Sequence, residues 1–437
     1  MSTDLNARAL AYHENPRPGK LEVLPCKSCF TTDDLTLAYS PGVATPCLEI
    51  AEDKSKSALY TGKSNLVGVI SNGTAVLGLG NIGAHASKPV MEGKGLLFKV
   101  YADIDVFDIE LDIQKPEQLI EVIKTMEPTF GAINLEDIKA PECFIVEARL
   151  REEMNIPVFH DDQHGTAVIS GAALLNAAHL TGRQLQNMKC VVSGAGAAGI
   201  SCAKFYMALG IRRENIFMFD SRGLIHTGRL DLHSTKAQFA QSDDCTLEVA
   251  LQGADLFLGL SKKDLLSKDM VRSMADNPII FACANPDPEI TYDAAKEANP
   301  DCIMGSGRSD WPNQVNNVSC FPYIFRAALD VQSTTINEAM KIAAARALAD
   351  LARLPVPPEV VEANGGKELT FGSDYVIPKP FDPRMIDALC PAIAEAAEIS
   401  GVAQAPIKDM EAYKASLRAR MEGVQSRTRA LVESYKA

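Results

Sequence analysis

Apolar residues along this chain gather in short runs separated by turn-forming residues. Leu66-Val67-Gly68-Val69-Ile70 leads into Ser71-Asn72-Gly73, and residues 96–100 follow Gly93-Lys94-Gly95. Such runs predict short strands bounded by loops, so the first third is read as strand and loop, with one strand over 96–100. From Gly165 the texture changes. Residues 166–180 are rich in alanine and leucine and predict a helix, 189–193 a buried strand, and 197–209 the next helix. Residues 216–219, 256–258 and 279–282 read as further buried strands with helical stretches between them. That alternation predicts a parallel sheet covered by helices on both faces, an α/β fold. A composition change near 160–165 sets the expected boundary: a smaller N-terminal α/β domain over 1–162 and a parallel-sheet domain over 163–405. Residues 406–437 carry arginine and glutamate at helical spacing with few large apolar residues, and read as a helical tail or linker.

With 437 residues the chain is long for a single core, in keeping with two domains. Its formal net charge of -13 argues against nucleic acid and against an anionic membrane surface, both of which require a basic face. A small anionic substrate must then be drawn in locally, by a metal or a few cations. Residues 1–20 are polar, with Asp4, Arg8, Glu14 and Arg17, and lack the apolar core of a signal peptide. No apolar stretch reaches the roughly 18 residues of a membrane span. Eleven cysteines, scattered from Cys26 to Cys390, read as reduced thiols in a reducing, cytoplasmic compartment. The single CxxC, Cys26 to Cys29, has no second pair to complete a zinc site.

Chemistry enters with Gly194-Ala195-Gly196-Ala197-Ala198-Gly199, which follows an apolar strand and opens a helix. Its glycines permit a tight turn, let the backbone approach a pyrophosphate, and pack helix on strand. Asp220 ends the next strand about 20 residues on, which completes the context of a Rossmann-type dinucleotide domain.

Two carboxylate pairs also end apolar runs: Glu136-Asp137 after 130–135, and Asp161-Asp162 after 156–159. Ligands of open α/β sheets bind at the carboxyl ends of strands, so both pairs can meet at one rim. Convergent carboxylates repel unless a cation lies between them, and all-oxygen ligands suit Mg²⁺ or Mn²⁺. Taken alone, each pair reads more readily as structural, Asp161 or Asp162 as a helix cap and Glu136-Asp137 as a solvated turn; together, beside a dinucleotide fold, they favour a metal. Lys94 lies between two glycines and Tyr39 in Ala38-Tyr39-Ser40-Pro41-Gly42. Desolvation or a nearby cation lowers a lysine's pKa and suits it to general-base work, while a tyrosine can donate a proton to a carbanion-like carbon. Asn285 and the Asn316-Asn317 pair offer uncharged donors in loops, for a carboxylate or a carboxamide, or simply form turns.

These residues resemble the malic enzyme family, in particular its bacterial NADP-dependent type. The resemblance is carried by Ala38-Tyr39-Ser40-Pro41-Gly42-Val43, the segment 69–81, Val90-Met91-Glu92-Gly93-Lys94-Gly95, Ile133-Asn134-Leu135-Glu136-Asp137-Ile138 and Phe159-His160-Asp161-Asp162-Gln163-His164-Gly165-Thr166. It continues through the glycine hexad to Trp311-Pro312-Asn313-Gln314-Val315-Asn316-Asn317 and Ile377-Pro378-Lys379-Pro380-Phe381-Asp382, reaching about residue 406. The resemblance implies a Rossmann-type domain joined to a smaller malic domain, and oxidative decarboxylation of L-malate to pyruvate and CO₂ with reduction of NADP. It further implies Lys94 as general base, Tyr39 as general acid, and Glu136, Asp137 and Asp162 as ligands of Mg²⁺ or Mn²⁺. Asp161 matches a residue that contacts the lysine; Asn285 and Asn317 match positions that hold nicotinamide or substrate, and Lys94 and Asn317 touch the substrate. The large eukaryotic-type members place an arginine for a malate carboxylate near Thr74-Ala75, and this chain, like the small bacterial type, has none there. Hybrid members carry a phosphotransacetylase-like C-terminal extension that is not found here.

For the dinucleotide, Asp220 favours the free ribose hydroxyl of NAD, whereas Ser221 and Arg222 beside it suit a 2′-phosphate; the resemblance tips the expectation to NADP. The alternatives are an NAD-preferring malic enzyme and a malolactic or oxaloacetate decarboxylase without net cofactor reduction. A homodimer or higher homo-oligomer is the expected assembly.

Overall fold

A computed structural model describes residues 3–76 and 78–435. Two parallel sheets organise it. The first contains β1 (Leu66–Ser71), β2 (Asp105–Glu110), β3 (Ala132–Leu135) and β4 (Val158–His160) in the order β2-β1-β3-β4. The second contains β5 (Cys190–Ser193), β6 (Ile216–Asp220), β7 (Gly223–Leu224), β8 (Leu256–Gly259), β9 (Ile279–Ala282) and β10 (Ile303–Ser306), ordered β10-β9-β8-β5-β6-β7. Only β7 runs antiparallel to its neighbour. Residues of β3, β4, β5 and β8 to β10 are buried throughout, because helices cover both faces of each sheet.

In both sheets the chain builds outward from a central strand, first to one side and then to the other. Beside β1 lie β2 and β3, and beside β5 lie β6 and β8. The loops that leave β1 and β5 therefore open into the crevice where such sheets bind ligands.

The Asp161–Leu180 helix packs on the Ala197–Leu209 helix; fourteen of its residues are buried, and eight of them, within residues 167–178, join the largest core. That core joins side chains of both sheets. Phe98 stacks edge-on against Phe321 and Phe325, with ring centroids 4.7 and 5.1 Å apart, and Phe159 meets Phe325 at 5.6 Å. Edge-to-face contacts of this kind add about 0.5–1.5 kcal/mol each beyond area burial.

One expectation is corrected. Residues 96–100 are not a strand but part of the Ala84–Ala102 helix, and Lys94 with its flanking glycines is mid-helix. The buried positions Ala84, Ser87, Met91, Gly95, Phe98 and Ala102 recur every three or four residues, which is helical spacing. Gly95 is small because Leu21 crosses the helix there: a Cβ would lie 2.5 Å from Leu21 Cδ1.

The C-terminal Met410–Ser434 helix docks on the body instead of standing in solvent. Leu417 and Val424 are buried, Arg420 and Arg427 reach the Asp103 carboxylate at 3.3 and 3.4 Å, and the Tyr413 hydroxyl donates to Asp330 at 2.8 Å. At the other end none of residues 4–60 is buried. Large apolar side chains stand open there, among them Phe30 at 95%, Val23 at 81% and Leu48 at 72% exposure. Among the described residues no helix is long and apolar enough to cross a membrane.

Candidate active site

The carboxyl end of the first sheet gathers the acidic pairs. Glu136 and Asp137 leave β3, and Asp161 and Asp162 form the first turn of the helix that follows β4. Register explains the convergence, because Leu135 lies opposite His160 in the parallel ladder and the residues after each leave the sheet side by side. Asp137 adopts a left-handed backbone with φ 54°, its carbonyl accepts from Thr74 and Ala75, and its N–H donates to Asp162 Oδ2 at 2.8 Å. Carboxylate oxygens of Glu136, Asp137 and Asp162 all lie within 4.8 Å of one another. Burial pushes the Glu136 carboxyl well above the usual carboxylate range; Lys94 opposes the push, and Asp162, Asp161 and Asp137 add to it. A buried, mutually repelling oxygen set of this kind fits a hard divalent cation.

Lys94 reaches this cluster from the Ala84–Ala102 helix. Its Nζ lies 3.1 Å from Glu136 Oε1, hydrogen-bonds Asp161 Oδ2, and stands 4.3 Å over the Phe321 ring. Burial would lower its pKa, but the charges of Asp161 and Glu136 outweigh burial and hold the ammonium well above the ordinary lysine range. Among the side chains alone the direction is therefore opposite to the lowering expected from desolvation. Asp161 is wholly buried and also accepts from Asn317 Nδ2 at 3.1 Å, while Asn317 Oδ1 accepts from Thr166 at 3.1 Å. Gly165 leaves the room these contacts need: a Cβ there would lie 2.2 Å from Asp161 Oδ1 and 2.9 Å from the Asn317 amide.

The glycine hexad divides its labour. Gly194 has φ 113° and a Cβ on it would strike Leu260 O at 2.5 Å; a Cβ on Gly199 would strike Gly194 O at 1.8 Å. Gly196 has open space before it, where backbone can meet a phosphate. Ala195 is buried, and Ala197 and Ala198 begin the helix. Across the cleft, Asn285 sits in an exposed loop after β9, with its carbonyl 2.8 Å from where a Cβ of Gly78 would stand. The loops of the two domains thus meet at Asn285.

Two expected residues are placed apart from this geometry. Tyr39 caps the Thr32–Ala38 helix and is 71% exposed, while the Lys94 side chain is 12% exposed. Asp220 ends β6 as expected, but it is already engaged. Arg229 donates to both its oxygens at 2.8 and 3.0 Å, Lys236 donates at 2.9 Å, and the Arg222 N–H at 2.9 Å. Burial would raise Asp220, but these donors bring it well below the usual carboxylate range. Neither Arg229 nor Lys236 was legible from spacing, because they come from an irregular loop and a four-residue helix. Asn134, which donates to Glu136 Oε2 at 2.9 Å, was likewise missed, though it sits one inward position before Glu136 on β3.

A glycine turn between strand and helix of one parallel sheet, with carboxylates and a lysine gathered at the strand ends of the other, defines a dinucleotide-binding α/β protein. Sequence comparison makes this particular: residues 18–151 match the malic enzyme N-terminal domain and residues 163–359 the malic enzyme NAD binding domain, and the chain belongs to the malic enzyme family. It is 57% identical over 416 residues to an NADP-dependent malic enzyme of Haemophilus influenzae, covering 94% of this chain but 55% of that one. The chain thus spans about half the length of that relative. An NADP-dependent malic enzyme of Halomonas elongata is 55% identical with 94% of its length covered, and an NAD-dependent malic enzyme of Rhizobium meliloti is 55% identical over 414 residues, 54% of its length. The crystal structure of a malic enzyme from Pyrococcus horikoshii superposes with a TM-score of 0.90 at 37% identity, covering 99% of both chains.

Proposed function

We propose that this chain oxidises and decarboxylates L-malate to pyruvate and CO₂, with reduction of NADP and dependence on Mg²⁺ or Mn²⁺. The observation that carries this reading is Lys94 held between Glu136 and Asp161 at the edge of a three-carboxylate cluster. Glu136, Asp137 and Asp162 would hold a divalent ion, which would supply polarisation of the C2 oxygen of malate and offset the negative charge that keeps Lys94 protonated, and the glycine turn would hold the dinucleotide that serves as hydride acceptor.

The protein's own groups do the rest. With its charge environment offset by the cation, Lys94 would act as the neutral amine and take the C2 hydroxyl proton to become the ammonium, with Asp161 orienting the nitrogen and Phe321 walling it from water. Asn317, fixed by Asp161 and Thr166, and Asn285, at the meeting of the two domains, hold carboxylate or carboxamide. Tyr39 supplies the proton to C3 once CO₂ has left.

Because Tyr39 is exposed among uncovered apolar side chains of the N-terminal segment, the reading includes a homodimer in which that segment packs on a second copy and Tyr39 enters the partner's crevice. A concentration of exposed large apolar side chains in one segment suits an interface with a second copy. The thiols suit a reducing cytoplasm, for Cys26, Cys29 and Cys47 are exposed yet free and the other cysteines are covered or partly covered.

Steady-state assay of the purified chain with L-malate, Mn²⁺ and either dinucleotide tests the reading. It requires pyruvate and reduced nicotinamide in equal amounts. Lactate without reduced nicotinamide would replace it with the malolactic alternative, and faster turnover with NAD would favour the NAD-dependent alternative that the Rhizobium relative represents.

A further inference from the structure

The end of β6 is where a dinucleotide-binding sheet presents a carboxylate to the adenosine ribose hydroxyls. Here that carboxylate, Asp220, is 10% exposed, and four N–H donors already occupy it. Arg229 is 10% exposed and spends its guanidinium on two acids, Asp220 and Asp231 at 2.8 Å. Arg222 reaches the same Asp231 at 2.8 Å but is 69% exposed, and Lys236 is 31% exposed. Three cations thus surround two carboxylates, leaving a local excess of one positive charge on a chain whose net charge is -13.

We propose that Arg229 sets the preference for a 2′-phosphorylated dinucleotide by cancelling Asp220, while Arg222 and Lys236 receive the phosphate. Asp220 can neither accept the ribose hydroxyls, since its lone pairs are taken, nor repel a phosphate, since its charge is matched. Arg229 has no free edge for the ligand and is a positioning residue. The exposed Arg222 guanidinium and the partly exposed Lys236 ammonium, which carries further N–H groups beside the one given to Asp220, are the donors, and a planar guanidinium matches phosphate geometry. This rests on the proposed use of NADP.

The test is calorimetric binding of adenosine 2′,5′-bisphosphate and of adenosine 5′-monophosphate to the whole chain. The wild type is expected to favour the bisphosphate by about tenfold or more, since at least one charge-assisted contact is involved. Arg229→Gln should weaken the bisphosphate and tighten the monophosphate, because Asp220 is released to the ribose; Arg229→Lys should restore part of the preference. A merely structural ion pair would weaken both ligands alike, and that result overturns the proposal. If Arg229→Gln does not fold, Arg222→Ala, on an exposed side chain, decides: it must lower bisphosphate affinity and leave the monophosphate unchanged, and an unchanged ratio overturns the proposal. Preference of the wild type for the monophosphate also overturns it while leaving malate oxidation standing. The expected ratios without malate turnover would leave the proposal intact and remove the proposed function.

Discussion

Lys94 Nζ stands 3.1 Å from Glu136 Oε1, one borne by the middle of a helix and the other by the end of a strand. The pair joins the cation-binding cluster to the group that is to move a proton. Burial pushes the carboxyl up and would lower the lysine, but the charges of Asp161 and Glu136 outweigh burial and keep the ammonium protonated.

Removing the lysine should therefore cost catalysis and not dinucleotide binding. Lys94→Ala is expected to lower malate turnover by about 10²–10⁴-fold, the usual contribution of a positioned acid or base. Calorimetric affinity for the dinucleotide should stay within about threefold. Near-normal turnover would remove Lys94 from the base role.

Asp162→Asn withdraws the charge of one of the three converging carboxylates while leaving an amide oxygen to accept from the Asp137 N–H. Mn²⁺ affinity, read by titration of the protein without substrate, is expected to fall about tenfold or more. Unaltered affinity would count against ligation by Asp162.

Gly196 and Gly199 should respond differently to alanine although they share one motif. At Gly199 a Cβ meets Gly194 O at 1.8 Å, so the melting temperature should fall, with a loss of about 1–3 kcal/mol from overpacking. At Gly196 the space is open, so thermal stability should hold while dinucleotide affinity drops. Equal effects at both sites would contradict this division.

Acid stability offers a further check behind the site. Glu147 Oε1 accepts from His164 Nε2 at 2.7 Å and from the His160 N–H at 3.3 Å, and His164 Nδ1 lies 3.3 Å from Lys341 Nζ. Burial would raise Glu147, but His164, His160 and Arg151 bring it down to about 2 from an ordinary 4.5. A carboxyl depressed on folding adds stability that is present above pH 4.5 and lost as pH falls toward 2. Glu147→Gln should lower stability and show a flatter denaturation profile across that window.

Much of this was legible in the chain because the relevant signals are local. Strands β8 and β9 are continuous apolar runs and β3, β4 and β5 nearly so, each carrying one polar residue, and the acidic pairs directly follow β3 and β4. Lys94 was legible as a residue but not as a helical one, since flanking glycines imitate a turn when Leu21, far away in sequence, is the reason for Gly95. β2 was missed because Asp105–Glu110 is an edge strand with no buried residue and so no apolar run. Arg229 and Lys236 were missed for a different reason: their meaning comes from the partner they reach, Asp220, and no periodicity links those positions.

The central claim, that Lys94 and the carboxylate cluster of one chain form a malic enzyme site completed by Tyr39 of another, is tested most directly by mixing two inactive variants, Tyr39→Phe and Lys94→Ala. Co-refolded in equal amounts, half the dimers would be mixed and each would hold one intact site, so malate-dependent NADPH formation should return to about a quarter of wild type. Activity that stays at the level of the separate variants, with mixed dimers present, would contradict the account.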